Sequence, residues 1–416
     1  MTPFQLAALF LTLVGVVGWL NVKVMRLPSG VAMLLVGLAG AGALALSQGA
    51  APRVVGPVET ILGQVNFPRT VIDYMLAFLL FAGAMQVDLG EMRRRRLSVW
   101  TLATLGVVAS TVIVGLGLWG VARGLGLPLP LPWAFVFGAL ISPTDPIAVL
   151  STVRHGELSK TLTAILQGEA LFNDGVGIVV FTAALSFAAS GAALDPWGAA
   201  GLVALQAAGG LVFGLAAGWL VIRAMQAIDD YAVEVALSLA LATGVYAAAQ
   251  ALHLSGAIAV VAAGLLVGDY GFRTAMSDTT QRYVRGFWTL VDEILNALLF
   301  LLLGLQLLSV PVDARWVGVW LAAVPLVLVA RLATVAPWGA YFHFRHLERG
   351  PSLILTWGGL HGALSLALAL SMPADPSRNL ILSTTYAVVV FSVVVQGLTF
   401  GRLVKALAPG EGRRPA

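Results

Sequence analysis

Thirteen long apolar segments make up most of the chain, and each is bounded by charged residues, Pro or Gly. Most are long enough to cross a bilayer as helices, which takes about 20 apolar residues. Helices are the expected form because a backbone in hydrocarbon has to satisfy its own hydrogen bonds. The sequence therefore predicts an all-α polytopic membrane protein with thirteen transmembrane helices. The predicted spans are 4–20, 29–48, 71–89, 97–120, 131–152, 161–190, 197–222, 231–253, 255–271, 287–309, 315–342, 351–372 and 380–406.

The composition favours the same class. Hydrophobic residues make up 59% of the 416 positions and charged residues 11%, with a mean hydropathy of +0.92. A soluble domain carries roughly a quarter charged residues. The chain has no cysteine, which excludes disulfides and thiolate metal sites. It also lacks the phosphate-loop, HExxH and GxSxG patterns, so an enzyme is not indicated.

The positive charges predict the orientation of the spans, because cytoplasmic loops carry an excess of Lys and Arg. With the N-terminus outside, eighteen Lys and Arg residues lie in inside segments and five lie outside. The four arginines at 93–96 form the densest inside group. The prediction is N-out and C-in, and this distribution also explains the sequence pI of 9.6 without nucleic acid as a partner.

No linker divides the chain into separate domains. Residues 1–407 are therefore predicted to form a single transmembrane domain, and residues 408–416 a short cytoplasmic tail. Spans 1–6 and 8–13 form two halves of inverted orientation on either side of span seven, an arrangement typical of secondary transporters.

The fifth span contains two prolines at mid-depth, in the sequence FGALISPTDPIAVL. Pro143 and Pro146 each lack the N–H that a helix needs, so an unwound stretch is expected between them. Irregular backbone at this depth has to line a cavity or be buried in protein. The freed carbonyls and the Thr144 hydroxyl are hard oxygen donors that suit an alkali cation, and Asp145 lies at the break. An ordinary proline kink is the alternative.

The twelfth span has a cluster of glycines in its first third, at Gly358, Gly359 and Gly362. This cluster is a second candidate for a broken helix, and it occupies the position in the second half that span five occupies in the first. Paired interruptions of this kind indicate the ion site of a transporter.

Charged side chains at membrane depth cost at least ~2.5–3.5 kcal/mol each, so each one is a functional candidate. Glu169 and Asp174 lie on span six but diverge by roughly 140° around a helix, and therefore need separate partners. Asp174 is expected to face the break in span five. Glu169 is expected to pair with Arg331, because Arg331 is the only Lys or Arg that lies well inside a predicted span. The alternative is a structural salt bridge with no role in transport. The candidates are Asp73, Asp145, Glu169, Asp174, Glu234, Asp292, Glu293, Arg331 and His361.

Four segments together resemble one known family. GALISPTDPIAVL, GEALFNDGVGIVVF, the arginine of LVARLATV and WGGLHGALSLALAL are similar to the monovalent cation:proton antiporter-1 family, in its NhaP-type Na⁺/H⁺-exchanger branch. The resemblance covers nearly the whole chain. It implies a homodimer of thirteen-helix protomers with a core of spans 97–190 and 315–406. The spans at 4–89 and 231–309 would then form the dimer scaffold.

The resemblance also implies roles for individual residues. Asp174 matches the carboxylate that binds the ion or the proton, and Asn173 matches its neighbour in the electroneutral branch. Thr144 and Asp145 match the unwound pair, so that Na⁺ would be held by Asp174 and Thr144. Glu169 and Arg331 match an ion pair that stabilises the core.

Three positions depart from the family pattern. His361 replaces the usual Arg of GGLRGA, and its charge would depend on pH, so it is a candidate for pH modulation; a neutral histidine in helix packing is the alternative. Ala170 stands where many members have Ser, and Ala82 where many have an acidic residue. These departures bear on cation preference and pH profile.

The sequence as a whole predicts a secondary active antiporter in the cell (inner) membrane. It would exchange Na⁺, or Li⁺, for H⁺ in an electroneutral 1:1 cycle, because cation and proton compete for Asp174. No cofactor is expected. The alternatives are a K⁺/H⁺ antiporter on the same fold and a cation channel or uniporter.

Overall fold

The computed structural model describes residues 2–47, 65–146, 150, 158–190, 196–344 and 350–407, and the regular structure in these ranges is helical. Several helices contain a π-helical or 3₁₀-helical turn, which is counted here with its helix. The helices of eight or more residues are α1 (Phe4–Met25), α2 (Ser29–Ser47), α3 (Phe67–Gln86), α4 (Arg96–Gly124), α5 (Leu131–Ile141), α6 (Lys160–Ser190), α7 (Pro196–Met225), α8 (Tyr231–Ala251), α9 (Gly256–Thr274), α10 (Asp278–Ser309), α11 (Ala314–Phe344), α12 (Pro351–Gly358), α13 (Ala363–Ser371) and α14 (Arg378–Leu407). A shorter helix, Leu89–Arg94, precedes α4.

The all-α prediction is confirmed, and each predicted span has a helix at its place. Within the described ranges, eleven helices are long and apolar enough to cross a membrane, and the bent pair of α12 and α13 is a twelfth candidate. The fifth predicted span is represented by α5, which has only 11 residues. The count of thirteen crossings and the N-out orientation remain predictions. The predicted tail at 408–416 lies outside the described residues.

Short polar side chains mark where several helices begin. Asp230 caps α8 by accepting hydrogen bonds from the backbone of Ala232 and Val233, at 2.9 and 3.2 Å. Ser255 caps α9 by accepting from the backbone N–H of Ile258. Such caps satisfy N–H groups that have no partner inside the helix. The Ser255 cap marks where the nearly continuous apolar run at 231–271 divides into two helices, as predicted.

Two apolar clusters hold the helices together. The larger cluster joins α4, α5, α6 and α11–α14 to α1, α2, the N-terminal part of α3 and the C-terminal half of α10. The smaller cluster joins the rest of α3, α7, α8 and α9 to the N-terminal half of α10 and to parts of α4 and α6. Helix α10 therefore passes from one cluster to the other, with Trp288 in the smaller and Leu299 in the larger. The residues between them lie where the two clusters separate.

Candidate functional site

The predicted break in the fifth span is present. Helix α5 ends at Ile141, and residues 142–146 carry no helix. Pro143 and Pro146 fall inside this stretch, where neither can donate the hydrogen bond that would continue the helix. The backbone N–H of Leu150 donates to the Pro146 carbonyl at 2.9 Å, which is a helical contact. Residues 142–146 are thus unwound, as predicted.

The predicted break in the twelfth span is also present. Helices α12 and α13 are separated by residues 359–362 and are bent by 46° relative to each other. Glycine is needed here because other groups approach the backbone closely. A Cβ atom at Gly362 would lie 2.9 Å from Asp145 Oδ2, and one at Gly359 would lie 2.5 Å from Arg331 Nε.

The two breaks contact each other directly. The backbone N–H of Asp145 donates to the Leu360 carbonyl at 2.7 Å. The ring nitrogen Nδ1 of His361 lies 3.3 Å from the Pro143 carbonyl oxygen. Unwound backbone at membrane depth needs partners outside its own helix. Here each break supplies a partner for the other.

Helix α6 packs on the first break through Asn173. Its Nδ2 donates to Thr144 Oγ1 at 3.0 Å, and both side chains are buried. The Asn173 Oδ1 atom is buried and accepts no hydrogen bond from the described part of the chain. Because the amide nitrogen faces Thr144, the amide oxygen of Asn173 remains available to coordinate another ligand.

Asp174, Asp145 and Thr144 line one cavity of about 700 Å³. The two carboxyl-bearing side chains are half-buried, whereas Thr144 is buried. The structure thus brings the sequence-predicted Asp174 and the unwound Thr144–Asp145 pair to one place. Ala170, where many family members carry Ser, also lines this cavity, whereas Ala82 is buried in the smaller apolar cluster.

Glu169 and Arg331 form a salt bridge buried among α6, α11 and α12. Arg331 donates through one terminal nitrogen to Glu169 Oε1 and through the other to Oε2, the latter at 2.9 Å. Its Nε donates to the Leu355 carbonyl at 3.3 Å. A bidentate pair of this kind is among the stronger side-chain contacts.

The salt bridge lies on a second, much smaller cavity of about 10 Å³, the size of a single water molecule. Glu169, Arg331 and His361 line this cavity, and Thr144 lines both this one and the large one. Thr144 thus stands between the cavity that contains Asp174 and the cavity that contains the ion pair.

The remaining charged candidates are placed differently. Asp292 and Glu293 line the large cavity, although sequence reasoning assigned no role to either. Asp73 forms an exposed salt bridge with Arg69 at 3.6 Å, and neither Asp73 nor Glu234 lines either cavity. Gln86 and Asn296 also line the large cavity and were not among the sequence candidates. The sequence feature that could have identified them is an uncharged polar residue in an otherwise apolar span.

No group of three or more His, Cys, Asp or Glu side chains within the described ranges could hold a metal ion.

Comparison with known proteins decides the family, because residues 8–406 match the family described as "Sodium/hydrogen exchanger, transmembrane". The chain belongs to the sodium/hydrogen exchanger family. This is a family of transporters rather than enzymes, and the match confirms the resemblance drawn from the four sequence segments. The multiple apolar helices and the bacterial relatives place this exchanger-family protein in the cell membrane.

Curated relatives are similar over nearly their whole length. The chain is 41% identical over 413 residues to the Na⁺/H⁺ antiporter NhaP of Pseudomonas aeruginosa, covering 98% of this chain and 97% of that one. It is 35% identical over 390 residues to the Na⁺/H⁺ antiporter NhaH of Halobacillus dabanensis, covering 92% and 93%.

Solved structures share the fold. The sodium proton antiporter MjNhaP1 from Methanocaldococcus jannaschii at pH 8 matches with a TM-score of 0.70, covering 96% of this chain and 97% of that one. A second structure of MjNhaP1, from electron microscopy, matches with a TM-score of 0.74 over the full length of both chains. At 20% and 22% identity, these matches show the fold alone.

Proposed function

We propose that this protein is a secondary active antiporter that exchanges Na⁺, or Li⁺, for H⁺ across the cell membrane. The observation that carries the proposal is the position of Asp174, which lies half-buried in the large cavity beside the unwound Thr144–Asp145 pair. The names of the relatives NhaP and NhaH, both Na⁺/H⁺ antiporters, support the choice of ions.

The proposed mechanism is competition for one carboxylate. Removal from water favours the neutral state of a carboxyl group, and a proton or a monovalent cation can each supply that neutrality. Asp174 and Thr144 would hold the dehydrated Na⁺, and Asp145 would supply a second negative charge near the ion. The buried Asn173 Oδ1, which accepts no hydrogen bond within the described residues, is a further oxygen donor.

The stoichiometry in this proposal is one Na⁺ for one H⁺. Asn173 precedes Asp174 and keeps its amide donor on Thr144. An amide carries no second proton, so the loaded carrier has the same charge with either substrate. The exchange is therefore electroneutral.

Glu169 and Arg331 are assigned a structural role. Their charges are satisfied by each other and are separated from the Asp174 cavity by Thr144. Breaking a buried pair of this kind leaves an uncompensated charge, which is strongly destabilising. We therefore infer that the pair holds α6 and α11 in register and takes no part in ion exchange.

His361 is proposed to adjust the pH response. It lines the small cavity with the ion pair, and its Nδ1 contacts the break at Pro143. A free histidine gains a proton near neutral pH, whereas the usual arginine of the family is permanently charged. A charge at this position would then change with pH. Because His361 is buried and shares the small cavity with Arg331, a neutral histidine in helix packing is the alternative.

We also infer that the large cavity faces the cytoplasm. Gly18, Ser29 and Gln86 line the cavity, and each lies next to a segment that the positive charges assign to the inside. We further infer that the protein forms a homodimer, in which the spans at 4–89 and 231–309 form the scaffold. Cross-linking in native membranes tests the dimer, and cysteine labelling from either side tests the orientation.

The decisive experiment uses purified protein in proteoliposomes with an imposed pH gradient. Addition of Na⁺ should dissipate the gradient, and the Asp174→Asn variant should not respond. Dissipation by K⁺ but not by Na⁺ or Li⁺ would replace the proposal by a K⁺/H⁺ antiporter. Cation flux that proceeds without proton movement would replace it by a channel or uniporter.

A further inference from the structure

Helix α12 ends at the second break, and its last carbonyl groups have no partner within the helix. In any α-helix the last four C=O groups lack an intrahelical N–H, and in α12 these belong to residues 355–358. Side chains from other helices satisfy two of them. The Leu355 carbonyl accepts from Arg331 Nε at 3.3 Å, and the Trp357 carbonyl accepts from Gln396 Nε2 at 3.2 Å. The proposed mechanism gives Arg331 a structural role and gives none to Gln396.

Gln396 lies on α14, where its side chain is held in one orientation and is only 1% exposed. Ser392 Oγ donates to Gln396 Oε1, so the amide nitrogen is the atom that faces α12. Ser392 and Gln396 begin and end a π-helical turn of α14. A π-helical turn has a longer hydrogen-bonded ring than an α-helical one and is frequent at functional sites. The turn therefore changes which side chains of α14 face its neighbours.

A second hydrogen bond joins the same two helices at the same residue. The Trp357 indole N–H donates to Thr399 Oγ1 of α14 at 2.8 Å. Gly358 follows directly, and a Cβ atom there would lie 2.9 Å from a ring carbon of Phe400, which is also on α14. Helix α14 thus holds the last turn of α12 through both its backbone and a side chain.

The end of α12 leads directly into the contact between the two breaks. Leu360 follows Trp357 by three positions, and its carbonyl accepts from the Asp145 N–H at 2.7 Å. The direction in which α12 ends therefore determines where this carbonyl lies. Gln396 lines neither cavity, so its effect on an ion has to pass through the break.

Asn173 makes a similar contact at the first break. Its Nδ2 donates to Thr144 Oγ1 at 3.0 Å, from α6. In the two predicted halves, α6 and α14 are the last helices, and each places a buried amide donor on the broken span before it. Asn173 contacts the unwound pair itself, whereas Gln396 contacts the helix end that leads to the second break.

We propose that Gln396 is a positioning residue of the ion site. By fixing the end of α12, it keeps the Leu360 carbonyl on the Asp145 N–H and thereby holds Asp145 at the cavity that contains Asp174. The inference rests on the proposed antiport function where it concerns Na⁺. Its structural step, from Gln396 to Asp145, is tested without transport.

The first test is amide hydrogen exchange of the purified protein, followed by mass spectrometry. Gln396→Met keeps the length of the side chain and removes the donor to the Trp357 carbonyl. Residues 143–146 contain only the backbone N–H groups of Thr144 and Asp145, because proline has none. Amide exchange of this segment should become about five- to tenfold faster, the factor by which loss of one hydrogen bond shifts a local opening equilibrium.

The matched control is Thr385→Val, which removes one buried hydrogen bond from the same helix. The Thr385 hydroxyl donates to the Ile381 carbonyl of α14 at 2.8 Å. Amide exchange at 143–146 should match the wild type in this variant. Unchanged exchange at 143–146 in Gln396→Met, or equal acceleration in Thr385→Val, would overturn the proposal.

The second test is the Na⁺ dependence of transport in proteoliposomes at constant ionic strength. Gln396→Met should raise the KM for Na⁺ about five- to tenfold with little change in kcat, the pattern expected when binding is lost equally from ground and transition states. Gln396→Asn, whose amide is one methylene shorter, should have the same effect and replaces the methionine variant if that one does not fold. Thr385→Val should leave KM within about twofold of the wild-type value. Lower thermal stability with an unchanged KM in the Gln396 variants would assign this residue to packing alone.

The two tests separate the inference from the proposed function. Transport that is lost in Asp174→Asn, together with a normal KM in Gln396→Met, would reject the positioning role and leave the antiport mechanism standing. Transport that persists in Asp174→Asn would reject the mechanism, whereas amide exchange at 143–146 reports on Gln396 in either case.

Discussion

Glu169 and Asp174 are both acidic residues of α6, five positions apart, and their surroundings differ in almost every respect. The Glu169 side chain is 2% exposed and shares two hydrogen bonds with Arg331. Asp174 is half-buried, lines a cavity of about 700 Å³ and takes part in none of the salt bridges within the described ranges. A carboxylate held by an arginine keeps its charge, whereas one without such a partner can exchange a proton for a cation. In the proposed mechanism, α6 therefore carries a structural charge at Glu169 and an exchanging carboxylate at Asp174.

The strongest test of this difference is the Asp174→Asn variant. The amide has nearly the same shape but neither titrates nor carries charge, so exchange should fall by at least ~100-fold, to background. Na⁺-dependent dissipation of a pH gradient in proteoliposomes measures the rate. The protein should still purify as a single species with wild-type thermal stability. Exchange near the wild-type rate would show that another group carries the proton.

The corresponding test of Glu169 removes one partner of its ion pair with Arg331. Glu169→Gln or Arg331→Ala should lower the free energy of unfolding by about 3–5 kcal/mol, because each leaves a buried charge without its partner. Thermal melting of the purified protein in detergent measures the change, with Asp174→Asn as the control on the same helix. Unchanged melting of both ion-pair variants would mean that the pair does not hold the fold.

A smaller effect is expected at His361, which lines the same small cavity as the ion pair. His361→Arg should fix a positive charge there and flatten the pH–activity curve, changing rates by about threefold or less. His361→Ala should weaken exchange more at acid than at alkaline pH. Profiles that superimpose on the wild-type curve would assign His361 to packing alone.

No effect at all is expected from membrane potential. If Asp174 is the one acid that exchanges its proton, each cycle moves no net charge. Exchange rates in vesicles clamped at different potentials with valinomycin and K⁺ gradients should coincide. A clear dependence on potential would contradict the 1:1 stoichiometry and would point to Asp145 as a second proton carrier.

The local features of the site were predictable from the sequence. Two prolines three residues apart cannot sit in an unbroken helix, and residues 142–146 are unwound accordingly. The glycine cluster at 358–362 likewise predicted the second break. Charges in apolar spans are costly, and that cost alone marks Asp174 and the two residues of the buried pair as candidates.

The long-range features were not predictable in the same way. Nothing in the sequence near Asp292 or Asn296 indicates that α10 lines the cavity of Asp174, because that contact depends on how distant helices pack. The contact between His361 and the Pro143 carbonyl joins residues that are 218 positions apart. Periodicity and local composition carry no information about such pairs.

The hydrogen bond from the Asp145 N–H to the Leu360 carbonyl has a consequence for the architecture as a whole. Each half of the chain contains backbone that its own helices cannot satisfy, and the missing partner lies in the other half. In a bilayer that deficit cannot be met by water. Neither half is therefore a self-sufficient module: a fragment that ends before α7 would expose polar backbone to lipid until its complement was synthesised and inserted. The proposed ion site is therefore complete only after the helices on either side of the second break, α12 and α13, have been inserted.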